Sequence, residues 1–266
     1  MKKTLAILNL ISVIFVIAIN YISQAVRLNG TTIGEISGKY DNLFTPASYA
    51  FAIWGLIFLL LLAYSIFQIR CAYLSDKKSE FIEQTGYWFT LTNILNATWV
   101  FAFVYDYTGL SVLIMLGILF SLIKIILNTN MERWDAPIEI LAFVWWPVCI
   151  YSGWIAVATI ANISAYLTKV GWSGFGLGEQ EWAIIMLIVA MTLNIVMVWK
   201  RNMREFAAVG IWALFAIFIR HRNSMDFIAK TALLCSFILF IVVAIHGYLN
   251  RKTNPMFKLM ERLGRK

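Results

Sequence analysis

Asparagine and tryptophan recur at helical spacing inside long apolar runs of this chain. Asn93, Asn96, Trp99 and Phe103 follow one helical face, as do Phe51, Trp54 and Phe58. Pro147, Tyr151, Trp154, Ala158 and Asn162 run along a third face at steps of four, three, four and four. A carboxamide surrounded by hydrocarbon lacks partners, so such faces turn toward the interior of a helix bundle. Two readings stay open at this level. The asparagines act as packing glue, or the stripes wall an aromatic pocket whose amides supply donors and acceptors. The second arrangement suits a flat, hydrophobic ligand.

Other reactive side chains are sparse. There is no HExxH, no GxSxG and no paired DxxxD for magnesium-bound diphosphate. His221 lies in a basic Arg220-His221-Arg222 segment and His246 near the end of an apolar run, with no second histidine at i+4. Cys71, Cys149 and Cys235 are far apart and form no CxxC pair, so they read as core residues. Asp226 and Lys230 echo a retinal-binding pair, but Lys230 opens a run beside basic residues, where a Schiff-base lysine would stay solvated. Asp106, Lys124 and Glu139 fall near the ends of apolar runs, and no buried acidic relay is visible. The glycines of 164–181, with Trp172 and Phe175, read as a flexible interfacial loop.

The elements that must position these residues are membrane helices. Of 266 residues, 61% are hydrophobic and 14% charged, with a mean hydropathy of +0.76. A soluble domain carries about 25% charged residues. Eight candidate spans of roughly the required length fall near 5–22, 47–69, 86–105, 109–128, 137–163, 182–199, 206–219 and 231–249. The fold class is therefore all-α, a polytopic transmembrane bundle. The seventh span is short and bounded by Arg204 and Arg220, and a re-entrant segment is the alternative there. Lys2 and Lys3 precede a run too long for a signal-peptide core, with no A-x-A site after it, so a retained first helix is expected.

With the N-terminus inside, only Arg27, Lys39, Lys169, Arg220, Arg222 and Lys230 of the 22 basic residues fall outside. That asymmetry follows the positive-inside rule and predicts a multi-pass cell-membrane protein with both termini cytoplasmic. It also gives the net charge of +8 a topological meaning, without a nucleic-acid partner.

The three stripes resemble the tryptophan-rich sensory protein family, the TspO/MBR translocator proteins. In that family the second helix follows a proline-rich loop, with a Trp and an aromatic four residues later. Here Pro46 precedes Tyr49, Phe51, Trp54 and Phe58. The family's third helix carries N-x-x-W and then Phe, matched by Asn96, Trp99 and Phe103. Its fifth carries W-x-x-x-A-x-x-x-N after a proline, matched by Trp154, Ala158 and Asn162 after Pro147. The chain departs from the family's paired prolines at Thr45-Pro46, and from its Pro-Tyr pair at Pro147-Val148. The resemblance covers residues 1–165 and implies a five-helix bundle, with three additional spans and a short basic tail in 166–266.

The resemblance implies a binding protein of sensor or translocator type. Its ligand-binding residues are Pro46, Tyr49, Phe51, Trp54, Phe58, Asn93, Asn96, Trp99, Phe103, Pro147, Tyr151, Trp154, Ala158 and Asn162. The implied ligand is a tetrapyrrole, porphyrin or haem, and in some members a sterol; no motif demands a resident cofactor. A sterol-type pattern, Leu62-x-Tyr64 followed by Arg70, is also present. An uncoupled transporter is the alternative, and a porphyrin-degrading enzyme ranks third because no catalytic constellation stands out. The bilayer is the obligate partner, with homodimerisation a further expectation.

Overall fold

A chain in hydrocarbon must satisfy every backbone polar group internally, and the helix does so within one segment. In a computed structural model, residues 1–40, 42–74, 79–251 and 255–262 are described. Long helices coincide with each of the eight apolar runs: α1 (Lys2–Ala25), α3 (Ile53–Leu74), α5 (Trp88–Val104), α6 (Thr108–Asn128), α8 (Trp146–Lys169), α9 (Glu179–Arg201), α10 (Arg204–His221) and α11 (Asp226–Leu249). Between them lie the short α2 (Ile33–Lys39), α4 (Glu80–Thr85) and α7 (Ile138–Ile140), and α12 (Pro255–Arg262) follows. No strand occurs among the described residues. Of the basic residues assigned to the inner side, Lys77, Lys78, Lys252, Arg265 and Lys266 lie outside the described residues.

Six of the helical segments are long and apolar enough to cross a membrane: those containing α1, α3, α6, α8, α9 and α11. α5 is apolar but shorter. α10 is a continuous helix of 18 residues, about 27 Å long, rather than a re-entrant hairpin. Its two ends reach opposite ends of the bundle, and charged Arg204, Glu205 and Arg220 sit at its termini.

The packing is a closed ring plus an attached trio. α1 packs on α3 and α5, α5 on α6, α6 on α8, and α8 returns to α3. α9, α10 and α11 pack on one another, and α10 joins them to the ring through α8. That junction depends on Gly153, because a Cβ there would stand 2.8 Å from the Phe206 carbonyl oxygen. Small residues allow this close backbone approach between membrane helices.

α8 carries its own irregularity. Pro147 lacks an N–H and would crowd the preceding turn of a continuous helix. A π-helical turn at Leu141–Trp145 stands immediately before it and absorbs the mismatch.

At the end opposite the termini, α2 lies across the ring. Thr32 and Glu35 close a capping box at its start, and Arg27 pairs with Glu35 at 2.8 Å. Its other end is tied to the α5–α6 turn, where Asp106 has φ +64°. The Asp106 carboxylate accepts from Lys39 Nζ at 2.6 Å, Tyr40 Oη at 2.7 Å and Lys169 Nζ at 3.0 Å. The segment after α2 turns back into the bundle: the Ala47 amide donates to Ala216 O, Arg220 to Thr45 O, and His221 Nε2 lies 3.1 Å from Leu43 O.

Partial burial raises the Asp106 carboxyl, but the donors from Lys39, Tyr40 and Lys169 outweigh it and hold it at about 2. A carboxyl depressed below its unfolded value near 3.9 contributes stability above that value. The contribution is lost as the pH falls toward 2. Asp106→Asn keeps a residue tolerant of positive φ and should cost roughly 1 kcal/mol at neutral pH, given the partial exposure of the site. Thermal melts of both proteins in detergent should converge as the pH is lowered from about 4 to 2.

Candidate functional site

The stripes on α3, α5 and α8 meet inside the ring. Phe51, Trp54, Trp99, Phe103, Trp154, Ala158 and Asn162 line one cleft, closed toward the loop end by Pro46 and by Ile33 and Ser37 of α2. Its rings are mutually packed. Trp54 stacks on Phe58 with centroids 5.3 Å apart, and Trp99 stacks on Phe103 at 5.0 Å. Trp154 stands edge-on to Phe51 at 5.9 Å and to Trp54 at 6.4 Å, and Trp54 meets Tyr151 at 5.9 Å.

Polar groups behind this wall form a ladder across the ring. Trp99 Nε1 donates to Asn162 Oδ1 at 2.9 Å, and Asn162 Nδ2 donates to Ser111 Oγ at 2.8 Å. One layer along, Asn96 Nδ2 donates to Tyr151 Oη at 2.8 Å, and Asn96 Oδ1 accepts from Asn20 Nδ2 at 3.1 Å. Asn93 donates to Ser12, and Asn9 joins Gln68 to Thr90. Every asparagine in this ladder is buried.

Not every expected residue reaches the cleft. Phe58 stacks on Trp54 but does not line the cleft. Asn93 faces α1, and Asn96 and Tyr151 lie one layer behind the wall, bonded to each other. Pro147 is buried where α8 begins. Tyr49 turns away to pack edge-on against Trp212 of α10 at 5.3 Å. Trp212 Nε1 also donates to Ala50 O, so this aromatic pair fastens the trio to the ring. Tyr64 of the sterol-type pattern is fully buried and hydrogen-bonded to Thr85, which keeps it from a lipid-facing surface. Lys230 and Asp226 form an exposed pair at 2.5 Å.

The cleft is narrow, with a volume near 40 Å³. Drug-sized ligands occupy pockets of about 300–1,000 Å³. Among the described residues, one buried polar atom in its wall is without a hydrogen-bond partner, Trp154 Nε1. Of the other two indoles of the wall, that of Trp99 is committed to Asn162.

Two further features were not read from the sequence. A cavity of about 540 Å³ lies between α8, α9 and the 171–178 loop, with Phe44, Trp172 and Trp182 in its walls. Trp182 Nε1 donates to Gly174 O there. The cluster of glycines with Trp172 was its signal, and it reads equally well as a solvent-facing loop. The second is at the other end of the bundle, where Glu132, Cys149 and Glu205 converge. They come from a loop, α8 and α10, so no spacing rule links them.

A ring of membrane helices with a buried carboxamide ladder and an aromatic cleft defines a multi-pass, α-helical membrane protein. The model of the TSPO-like protein family matches residues 6–245, and the chain belongs to that family. The match extends past residue 165 through most of the attached trio. No curated protein and no solved structure matches the chain.

Asn162→Leu should leave Trp99 Nε1 and Ser111 Oγ without their shared partner. The expected loss is about 1–3 kcal/mol, measured by unfolding in detergent. A loss below about 0.5 kcal/mol, the range of an average membrane hydrogen bond, would show that both groups find other partners.

Proposed function

We propose that this protein is a ligand-binding membrane protein of the sensor or translocator type, taking a flat hydrophobic molecule with hydrogen-bond acceptors, such as a tetrapyrrole, into the aromatic cleft. The observation that carries this reading is the Trp154 indole N–H. A buried donor without a partner costs about 1–3 kcal/mol, and this one lies in a wall of aromatic faces suited to stacking. A ligand acceptor placed against it would remove that cost.

At about 40 Å³ the cleft must open to admit such a molecule. α2 is the movable wall, because a short loop-borne element opens at lower free energy than the packed spans. The five-helix ring of 1–165 is then the binding unit, and the 166–266 helices brace α8 and the Pro46 segment from outside. The excess of Lys and Arg at the end carrying both termini favours a cytoplasmic assignment for that end, in the cell membrane.

The test is a protoporphyrin IX titration of purified protein, followed by tryptophan quenching. Wild type should saturate with micromolar affinity. Trp154→Phe, which keeps the ring and removes the donor, should weaken binding about tenfold, equivalent to about 1.4 kcal/mol. Unchanged binding in Trp154→Phe, with loss in Trp172→Ala, would move the ligand to the larger cavity between α8 and α9. Absence of saturable quenching in wild type would remove the tetrapyrrole reading.

A further inference from the structure

The end of the bundle that carries both termini holds a cavity of about 250 Å³, lined by residues from the 129–137 loop, α8, α10 and α11. Three metal-ligating side chains meet beside it. Carboxylate oxygens of Glu132 and Glu205 and the Cys149 thiol all lie within 4.8 Å of one another. Cys149 is buried, and its Sγ lies 3.8 Å from Met131 Sδ.

The surrounding cations do not neutralise the two carboxylates by direct pairing. Lys258 is bound to Asp135 and to the Ala136 carbonyl. Arg201 donates to the carbonyls of Ile126 and Met131, and Arg133 to that of Lys200. Arg204 also borders the cavity. Among the described residues, no ion pair joins any of them to Glu132 or Glu205. Burial, together with the neighbouring Glu205 carboxylate, pushes the Glu132 carboxyl well above its usual range.

An independent observation points to an occupant. His246 is 2% exposed and borders the same cavity. Its Nε2 lies 3.3 Å from Asn250 Nδ2, while its Nδ1 is buried without a partner. Glu205 Oε2 and the Trp146 indole N–H beside it are two further buried atoms without a hydrogen-bond partner in the same wall. A carboxylate with an orphaned oxygen beside a second carboxylate and a thiol, with an orphaned imidazole nitrogen in the same cavity wall, matches the donor preferences of a borderline divalent metal.

We propose that Glu132, Cys149 and Glu205 bind one Zn²⁺ ion, with the fourth position supplied by water from the cavity. Bonds of about 2.0–2.3 Å in a tetrahedron place ligand atoms about 3.3–3.8 Å apart. The three groups, all within 4.8 Å of one another, therefore need to close by at most about 1.5 Å, within the reach of two carboxylate side chains. The exposed Arg133 and Asp135 at the cavity border give an entry path from solvent. Metal binding replaces the thiol proton and supplies the positive charge that two adjacent carboxylates lack. It would also join the ring to the trio, since Cys149 belongs to α8 and Glu205 to α10.

The experiment uses the full chain, free of any affinity tag and stripped with chelator, in detergent. Zn²⁺ is titrated in competition with a chromophoric chelator. One ion per chain is expected, and Glu132→Gln, Glu205→Gln and Cys149→Ser should each weaken binding at least about tenfold. Binding that is absent, or equal in wild type and all three variants, overturns the proposal. Co²⁺ added to wild type reads the thiolate directly, whatever the folding of the variants. A thiolate-to-metal charge-transfer band in the near ultraviolet is expected, and its absence also overturns the site. None of these measurements involves tetrapyrrole binding, so this site and the aromatic cleft stand or fall separately.

Discussion

A carboxamide inside an apolar bundle has to find its partner on another helix, and most of this ring is arranged around that requirement. α5 carries Asn93, Asn96 and Trp99 on one face, and each reaches a different neighbour: Ser12 on α1, Tyr151 on α8 with Asn20 on α1, and Asn162 on α8. Hydrophobic burial alone selects no rotation in lipid, because any apolar face is equally content against acyl chains. The amides do select one. Once α5 is rotated to satisfy them, Trp99 and Phe103 must face the interior, and the cleft between α3, α5 and α8 follows. The packing-glue reading and the pocket reading are thus not rivals. Asn96 spends its hydrogen bonds on Tyr151 and Asn20, and Asn162 on Trp99 and Ser111, and this fixes the rings that form the wall.

α8 is the element both halves of the molecule depend on. It closes the ring against α3 and α6, and it receives α10 across Gly153. Its length from the π-helical turn to Lys169 lets one helix serve the cleft, the 540 Å³ cavity and the Glu132–Cys149–Glu205 cluster at successive heights. The π turn and Pro147 set the register that brings Cys149 to face the 129–137 loop, with Trp154 one and a half turns later facing the cleft. A change of register there would shift all three features together.

The sequence made the spans legible because lipid leaves few alternatives to a long apolar helix, and eight runs became eight long helices. The stripes were legible for the same reason: Trp54, Trp99, Trp154 and Asn162 share a helical period with their neighbours, and their side chains meet. Periodicity names a face but not the partner opposite it. Asn20 and Ser111, which complete the ladder, sit as ordinary polar residues within their runs. Tyr49 fits the aromatic pattern entering α3, yet lies in a 3₁₀ turn that rotates it toward Trp212 on the attached trio. Volume is less legible still, since ring contacts near 5–6 Å leave only about 40 Å³ between them.

The Glu132 cluster escaped the sequence for a different physical reason. A linear reading treats each loop carboxylate as solvated and each apolar-run cysteine as core. Glu132 lies four residues beyond α6, and Glu205 is the second residue of α10, both ordinary places for acidic side chains. Only the fold turns them toward one another, by packing α10 against α8 through Gly153 and laying the 129–137 loop over the end. The same close approach that joins the trio to the ring therefore concentrates charge at the junction. A bundle that gains packing this way must either protonate the carboxylates or place a cation between them. The unpartnered Glu205 Oε2 at that junction, with His246 Nδ1 unpartnered in the same cavity wall, favours the cation.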